Sequence, residues 1–171
     1  MLITGCVSTS LQADWKDPGF KKPFKKVLII CIVNEKIVRS ALEKDLAAQF
    51  TSRGVEAVPS NTILYTLRDV DREMVRKKVR EIDADGVLLI RPIGHEMSDK
   101  GGYDLYDQPY SAPDSDLAVE VYRIQTSLFE TANGKVVWRA ISDTIVGGAW
   151  TETLNKFAKV IGAKLIEHGL I

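Results

Sequence analysis

Val27-Leu28-Ile29-Ile30-Cys31-Ile32-Val33 is an unbroken apolar run of β-forming residues, and it limits what the chain can fold into. Seven residues are too few to cross a bilayer as a helix, which takes about 20. A strand with one wet face would alternate polar and apolar positions, so this run predicts a central strand covered on both faces. Cys31 lies inside it and reads as a small buried hydrophobe.

The residues that follow supply the cover. Asn34 is placed to cap a helix over about 35–53, in which Val38, Leu42, Leu46 and Phe50 recur every four residues and Gly54 stops the turn. Val55–Val58 reads as a second strand ended by Pro59, and residues 60–67 fit either a short helix or an irregular crossover. A second helix is expected over Asp71–Ile82 with Met74, Val75, Val79 and Ile82 inward. Between Arg68 and Asp85 six basic and six acidic side chains describe a solvated, salt-bridged face. A third strand opens at Val87 and extends through Met97. Two consecutive strand–helix–strand units imply parallel pairing through right-handed crossovers.

The second half changes character. Residues 117–130 and 135–146 are long stretches rich in β-branched and aromatic residues, joined by Thr131-Ala132-Asn133-Gly134, a strong hairpin signal. A last helix over Thr151–His168 aligns Leu154, Ala158, Ile161 and Leu165 in one stripe. The expected fold is α/β (α+β): a mixed sheet of about five strands with three helices, in the order β-α-β-α-β-β-β-α.

Function classes fall away on composition. Twenty-three Lys+Arg balance 23 Asp+Glu, which removes the bulk electrostatic case for nucleic acid. Two cysteines and two histidines are too few for a zinc cluster or a disulfide framework. The residues after the first strand, Asn34-Glu35-Lys36, are not a glycine loop, so no phosphate cradle and no cofactor is expected. Catalysis has little to work with. His95 and Glu96 are neighbours on a strand and point to opposite faces, while His168 suits the negative end of its helix. The chain is therefore expected not to be an enzyme, with no catalytic and no metal-ligating residues.

The amino-terminal Ile3-Thr4-Gly5-Cys6 resembles a bacterial lipobox, in which small residues precede a cysteine that is lipidated after the leader is removed. That resemblance implies lipid attachment at Cys6, residues 1–5 as the remnant of a signal peptide, 6–25 as a lipid-anchored tether and 26–171 as a single α/β domain. Only five residues precede Cys6, whereas a leader needs an apolar stretch of about 7–15. Either more leader lies upstream, or Met1 is the true start and Cys6 is an ordinary cytosolic thiol. Val7 in place of the aspartate that retains enteric lipoproteins at the inner membrane favours the outer membrane. Within 7–25 there is no sustained period, and Pro18, Gly19, Pro23 and four lysines give linker composition. Trp15 and Phe20 are large for a free linker and are expected to pack in part on the domain.

One loop is built for contact. Residues 98–116 run for 19 positions without periodicity, long for a connection within a domain. Tyr103, Tyr106 and Tyr110 offer amphipathic area at low entropic cost. Five aspartates, Asp104 and Asp107 among them, against Lys100 give a local charge of −4, so a basic partner surface is favoured. Tyr103, Asp104, Tyr106, Asp107 and Tyr110 are the expected partner-binding residues. Small-ligand or divalent-ion binding by the same aspartates is the alternative, although the fixed frame of an EF-hand is absent.

Taken together, Ile3–Cys6, Trp15-Lys16-Asp17-Pro18, Phe24–Ile29, Gly54–Ser60, Ala84-Asp85-Gly86-Val87-Leu88 and the hairpin Phe129–Arg139 resemble a group of uncharacterised bacterial lipoproteins. The chain is broadly similar to the α/β domains of envelope lipoproteins such as the curli-secretion protein, the activators of penicillin-binding proteins and the amino-terminal domain of TolB. The resemblance implies a periplasm-facing module, held to the membrane through Cys6, that binds another envelope protein or itself and performs no catalysis.

Overall fold

The computed structural model describes residues 8–64, 71–99, 118–146 and 149–171. The central apolar run forms β2 (Lys26–Cys31), and α1 (Lys36–Thr51) returns the chain to β3 (Glu56–Pro59), which lies parallel to β2. After a 3₁₀ turn at Ser60–Thr62, α2 (Arg72–Glu81) leads into β4 (Gly86–Asp99), parallel to β2 on its other side. β5 (Ala118–Glu130) and β6 (Val136–Val146) add antiparallel strands through the expected hairpin, and α3 (Trp150–Glu167) closes the chain. Gly134 sits at φ +69°, a conformation that only glycine adopts at no steric cost.

The sheet has six strands, not about five. The additional strand is β1 (Ser8–Lys16), antiparallel to β6 at the sheet edge, and the order across the sheet is β1-β6-β5-β4-β2-β3. The linker-like stretch is thus drawn into the fold. Gln12 bulges between Leu11 and Ala13 and breaks the alternation that would have marked a strand. Lys16 Nζ donates to the His168 carbonyl at 2.8 Å, His168 Nε2 meets Asp14 Oδ2, and Asp17 folds its carboxylate back onto the Gly19 amide at 2.8 Å. Phe20 and Phe24 are buried and stacked at 5.1 Å, whereas Trp15 remains 51% exposed.

The main core lies between one face of the sheet and α1 and α3, around Trp138, Phe50, Phe157 and Leu128. A smaller core on the other face puts Val79 of α2 against Leu28, Ile30 and Val87. Two local expectations are corrected. The first helix begins after Glu35, so Asn34 is not its cap, and Glu35 makes no side-chain cap bond. Met74 is exposed, and α2 turns Val75 and Val79 inward instead. Residues 60–62 are a 3₁₀ turn, while 65–67 fall outside the described residues.

The motif Ala84-Asp85-Gly86 has a physical reading. Asp85 carboxylate oxygens accept the Lys25 and Lys26 amides, each at 2.9 Å, and fix the entry of β2 beside β4. A Cβ on Gly86 would come within 2.6 Å of the Phe24 ring, so only glycine admits the ring there.

Candidate functional site

β4 runs through Asp99 and β5 begins at Ala118, so Ser98 and Asp99, expected at the start of the 98–116 loop, instead pair with Val119 and Ala118 in the sheet. Cys6, Tyr103, Asp104, Tyr106, Asp107 and Tyr110 all lie outside the described residues. Their points of departure do not. Ser8 opens β1 opposite Ile145, which in turn pairs with Val121, and Val121 with Glu96. The strand that follows Cys6 and the strands that bear the Tyr/Asp segment therefore meet at one end of the sheet.

At the foot of that segment four side chains gather. Tyr122 is the register partner of His95, and their rings lie 4.5 Å apart. Trp150, in the first turn of α3, tilts against Tyr122 at 5.5 Å and keeps 41% of its surface exposed. The Tyr122 hydroxyl donates to Glu120 Oε2 at 2.9 Å, and His95 Nε2 stands 3.8 Å from the same oxygen. Burial, then the bond to Glu120 and its charge, push the Tyr122 phenol up to about 12. At neutral pH it is a neutral donor fixed on a carboxylate.

This grouping follows from a β-bulge. Leu88, Ile90 and Pro92 alternate onto the helix-covered face, and plain alternation would send His95 to the opposite one. The register shift between Pro92 and Gly94 inserts one residue and restores His95 to the face of Tyr122. Sequence reasoning missed Glu120, Tyr122 and Trp150, because the β4–β5 register and its bulge have no local signature. The expectation that His95 and Glu96 diverge holds, since their register partners Tyr122 and Val121 are successive residues of β5.

The arrangement is a partly exposed cluster of two aromatic side chains with one imidazole and one carboxylate. Among the described residues no three His, Cys, Asp or Glu side chains group to hold a metal ion, and no helix is long and apolar enough to cross a membrane. Cys31 is a free, fully buried thiol whose ionisation burial opposes. It packs within the main core, as its place in the apolar run implies.

Fold and site together define a mixed α/β module with two helices on one face of a six-stranded sheet and an aromatic corner on β4, β5 and the start of α3. No protein-family model matches the chain, and no curated protein matches it. By structure it is similar to PelC from Paraburkholderia phytofirmans, crystallised as a dodecamer, with a TM-score of 0.57 at 13% identity over 96% of this chain and 99% of that one. A point variant of the same dodecamer gives 0.56 at 14% identity, covering 92% and 96%. Lipoprotein GNA1162 from Neisseria meningitidis gives 0.49 at 14% identity, covering 84% and 99%. The PelC likeness shows the fold.

Proposed function

We propose that this chain is a non-catalytic module of the bacterial cell envelope, anchored by lipid on Cys6, that works by protein contact through the segment 98–116. The observation that carries this reading is the near end-to-end correspondence with PelC: the body of a protein that assembles as a dodecamer is matched over 96% of this chain. The exposed ring of Trp150 and the stack beneath the segment add aromatic area of the kind enriched at interfaces. Val7 in place of a retaining aspartate favours the outer membrane.

The sheet also changes what the anchor would do. Two residue steps separate Cys6 from Ser8, so the lipid site lies within about 7 Å of the first strand residue. A lipidated Cys6 would hold the body against the bilayer with no slack, and the end that bears residues 98–116 would lie beside the head groups.

Two measurements test the reading. Expressed in a bacterial host with its genomic upstream region, the wild type partitions into detergent and carries added acyl mass, while Cys6→Ser stays aqueous; equal partitioning removes the anchor. Deletion of residues 101–112 leaves the melting transition in place and abolishes co-purification of the partner; unchanged co-purification removes the segment from the contact.

A further inference from the structure

The sheet face opposite α1 and α3 is covered by α2 only around β2 and the start of β4. Over β1, β6 and β5 no helix covers it among the described residues. Two register pairs sit there, Arg91 opposite Gln125 and Ser127 opposite Arg139. Arg91 Nη2 donates to Gln125 Oε1 at 3.2 Å, Gln125 Nε2 donates to Ser127 Oγ at 3.2 Å, and Arg139 Nε reaches the same hydroxyl at 3.4 Å. The result is a ladder of hydrogen bonds to neutral acceptors across three strands, with an exposed guanidinium at each end.

Neither guanidinium meets a carboxylate among the described residues. Arg123 on the same face differs, closed onto Asp143 by two bonds of 2.8 and 3.0 Å. A guanidinium has five donors in a fixed fork that matches a carboxylate, so Arg91 and Arg139 retain most of their capacity. Half-exposed Trp15, the register partner of Arg139, shares its face of the sheet. β4 and β6 are two strand spacings apart, about 10 Å. The surface suits an acidic segment with several carboxylates and with aromatic rings able to stack on guanidinium planes.

The chain contains such a segment. Residues 98–116 hold five aspartates against one lysine, with Tyr106 between Asp104 and Asp107, which are three positions apart. We propose that the ladder Arg91–Gln125–Ser127–Arg139 receives the acidic segment 98–116 of a second copy of this chain. This rests on reading 98–116 as the contact element and gives that element its partner. Donor and receiver are different patches, so the contact either closes as a reciprocal two-fold pair or runs head to tail into a ring or filament. Copies held on one membrane meet at raised effective concentration, so a weak contact in solution suffices there.

The test uses the full chain with Cys6→Ser, followed by sedimentation velocity over a concentration series. At about 0.15 M salt the Debye length is about 8 Å and at about 1 M about 3 Å, so association is expected at the first and weakens at least about tenfold at the second. The pair R91E/R139E sediments as a monomer, and the milder R91Q/R139Q weakens association without reversing charge. The pair D104K/D107K is also monomeric, and mixing it with R91E/R139E restores association, because the reversed charges now match. Thermal melts confirm that each variant folds. Wild-type association by R91E/R139E overturns the ladder; if D104K/D107K is then monomeric, the contact role of 98–116 stands without it. A wild type that is monomeric at both salts, or two monomeric variants that fail to complement, also overturns the proposal.

Discussion

The two halves of the sheet solve the same burial problem differently. In the parallel half, β3, β2 and the start of β4 have α1 on one face and α2 on the other, and every residue from Val27 to Cys31 is buried. In the antiparallel half only one face is covered among the described residues, and β6 alternates: Trp138, Ala140, Ser142 and Thr144 are buried while Arg139 is exposed. The number of layers dictates the pattern. It also dictates how charge is handled. The parallel half buries a complete ion pair, whereas the antiparallel half keeps its arginines at the surface, where they are available to a partner.

The buried pair gives the largest expected effect. Glu43 Oε1 accepts the Cys31 amide at 3.1 Å, Arg39 Nε at 3.0 Å and the Ser60 hydroxyl at 2.6 Å, and Oε2 accepts the Asn61 amide at 2.7 Å. Arg39 Nη2 also bonds Ser60 Oγ at 2.6 Å and the Leu64 carbonyl at 3.0 Å. The network ties α1 to β2 and to the 3₁₀ turn. Glu43→Ala would leave the buried Arg39 charge without its carboxylate and should cost about 3–5 kcal/mol in urea unfolding. A loss below about 1 kcal/mol would mean that water reaches this pair, and the contrast between the halves would shrink.

The seam between the halves comes next. Gly162 of α3 lies against Gln49 of α1, and a Cβ at 162 would stand 2.8 Å from the Gln49 Cβ. Gly162→Leu must separate the two helices and should cost about 1–3 kcal/mol, read as a lowered urea midpoint with an unchanged slope. Gly134→Ala is a useful contrast, because space is open there and its penalty comes from the backbone at φ +69°. Equal or smaller loss at Gly162 would show that the helices part freely.

The same contrast accounts for what the sequence made legible. The run at 27–33, the four-residue spacing in α1 and α3 and the Asn133-Gly134 turn are local signals, and each element appears within a few residues of its expected bounds. β1 was not legible, because an edge strand with one open face and a bulge at Gln12 shows neither a continuous run nor clean alternation. The aromatic corner was hidden for a related reason. Tyr122, Glu120 and His95 meet only through the register of two strands separated by the 98–116 segment, and the bulge at Ile93 reverses the phase. The acidic and aromatic character of that segment could be read directly. The arginine ladder that fits it could not, since Arg91, Gln125, Ser127 and Arg139 come from three strands.

The smallest effect probes the antiparallel surface. Arg123 and Asp143 pair in bidentate geometry on adjacent strands, and Arg123, first through its hydrogen bonds and then through its charge, holds the Asp143 carboxyl below the ordinary range. The Arg123 side chain is 52% exposed, so solvent screens the pair and Arg123→Ala should lower stability at neutral pH only slightly, far less than Glu43→Ala. The sign of its pH dependence follows from the direction of the shift. A carboxyl depressed in the folded state contributes stability above its unfolded value, about 3.9, and that contribution fades as pH falls through the lower folded value. Thermal melts of wild type and Arg123→Ala should therefore differ slightly at pH 7 and converge in acid, and about 1 M salt should narrow the gap at pH 7. A gap as large as that of Glu43→Ala would mean that the open face is covered in the working protein. In that case this arginine too lies inside an interface, and the exposed half of the sheet is exposed only in the isolated chain.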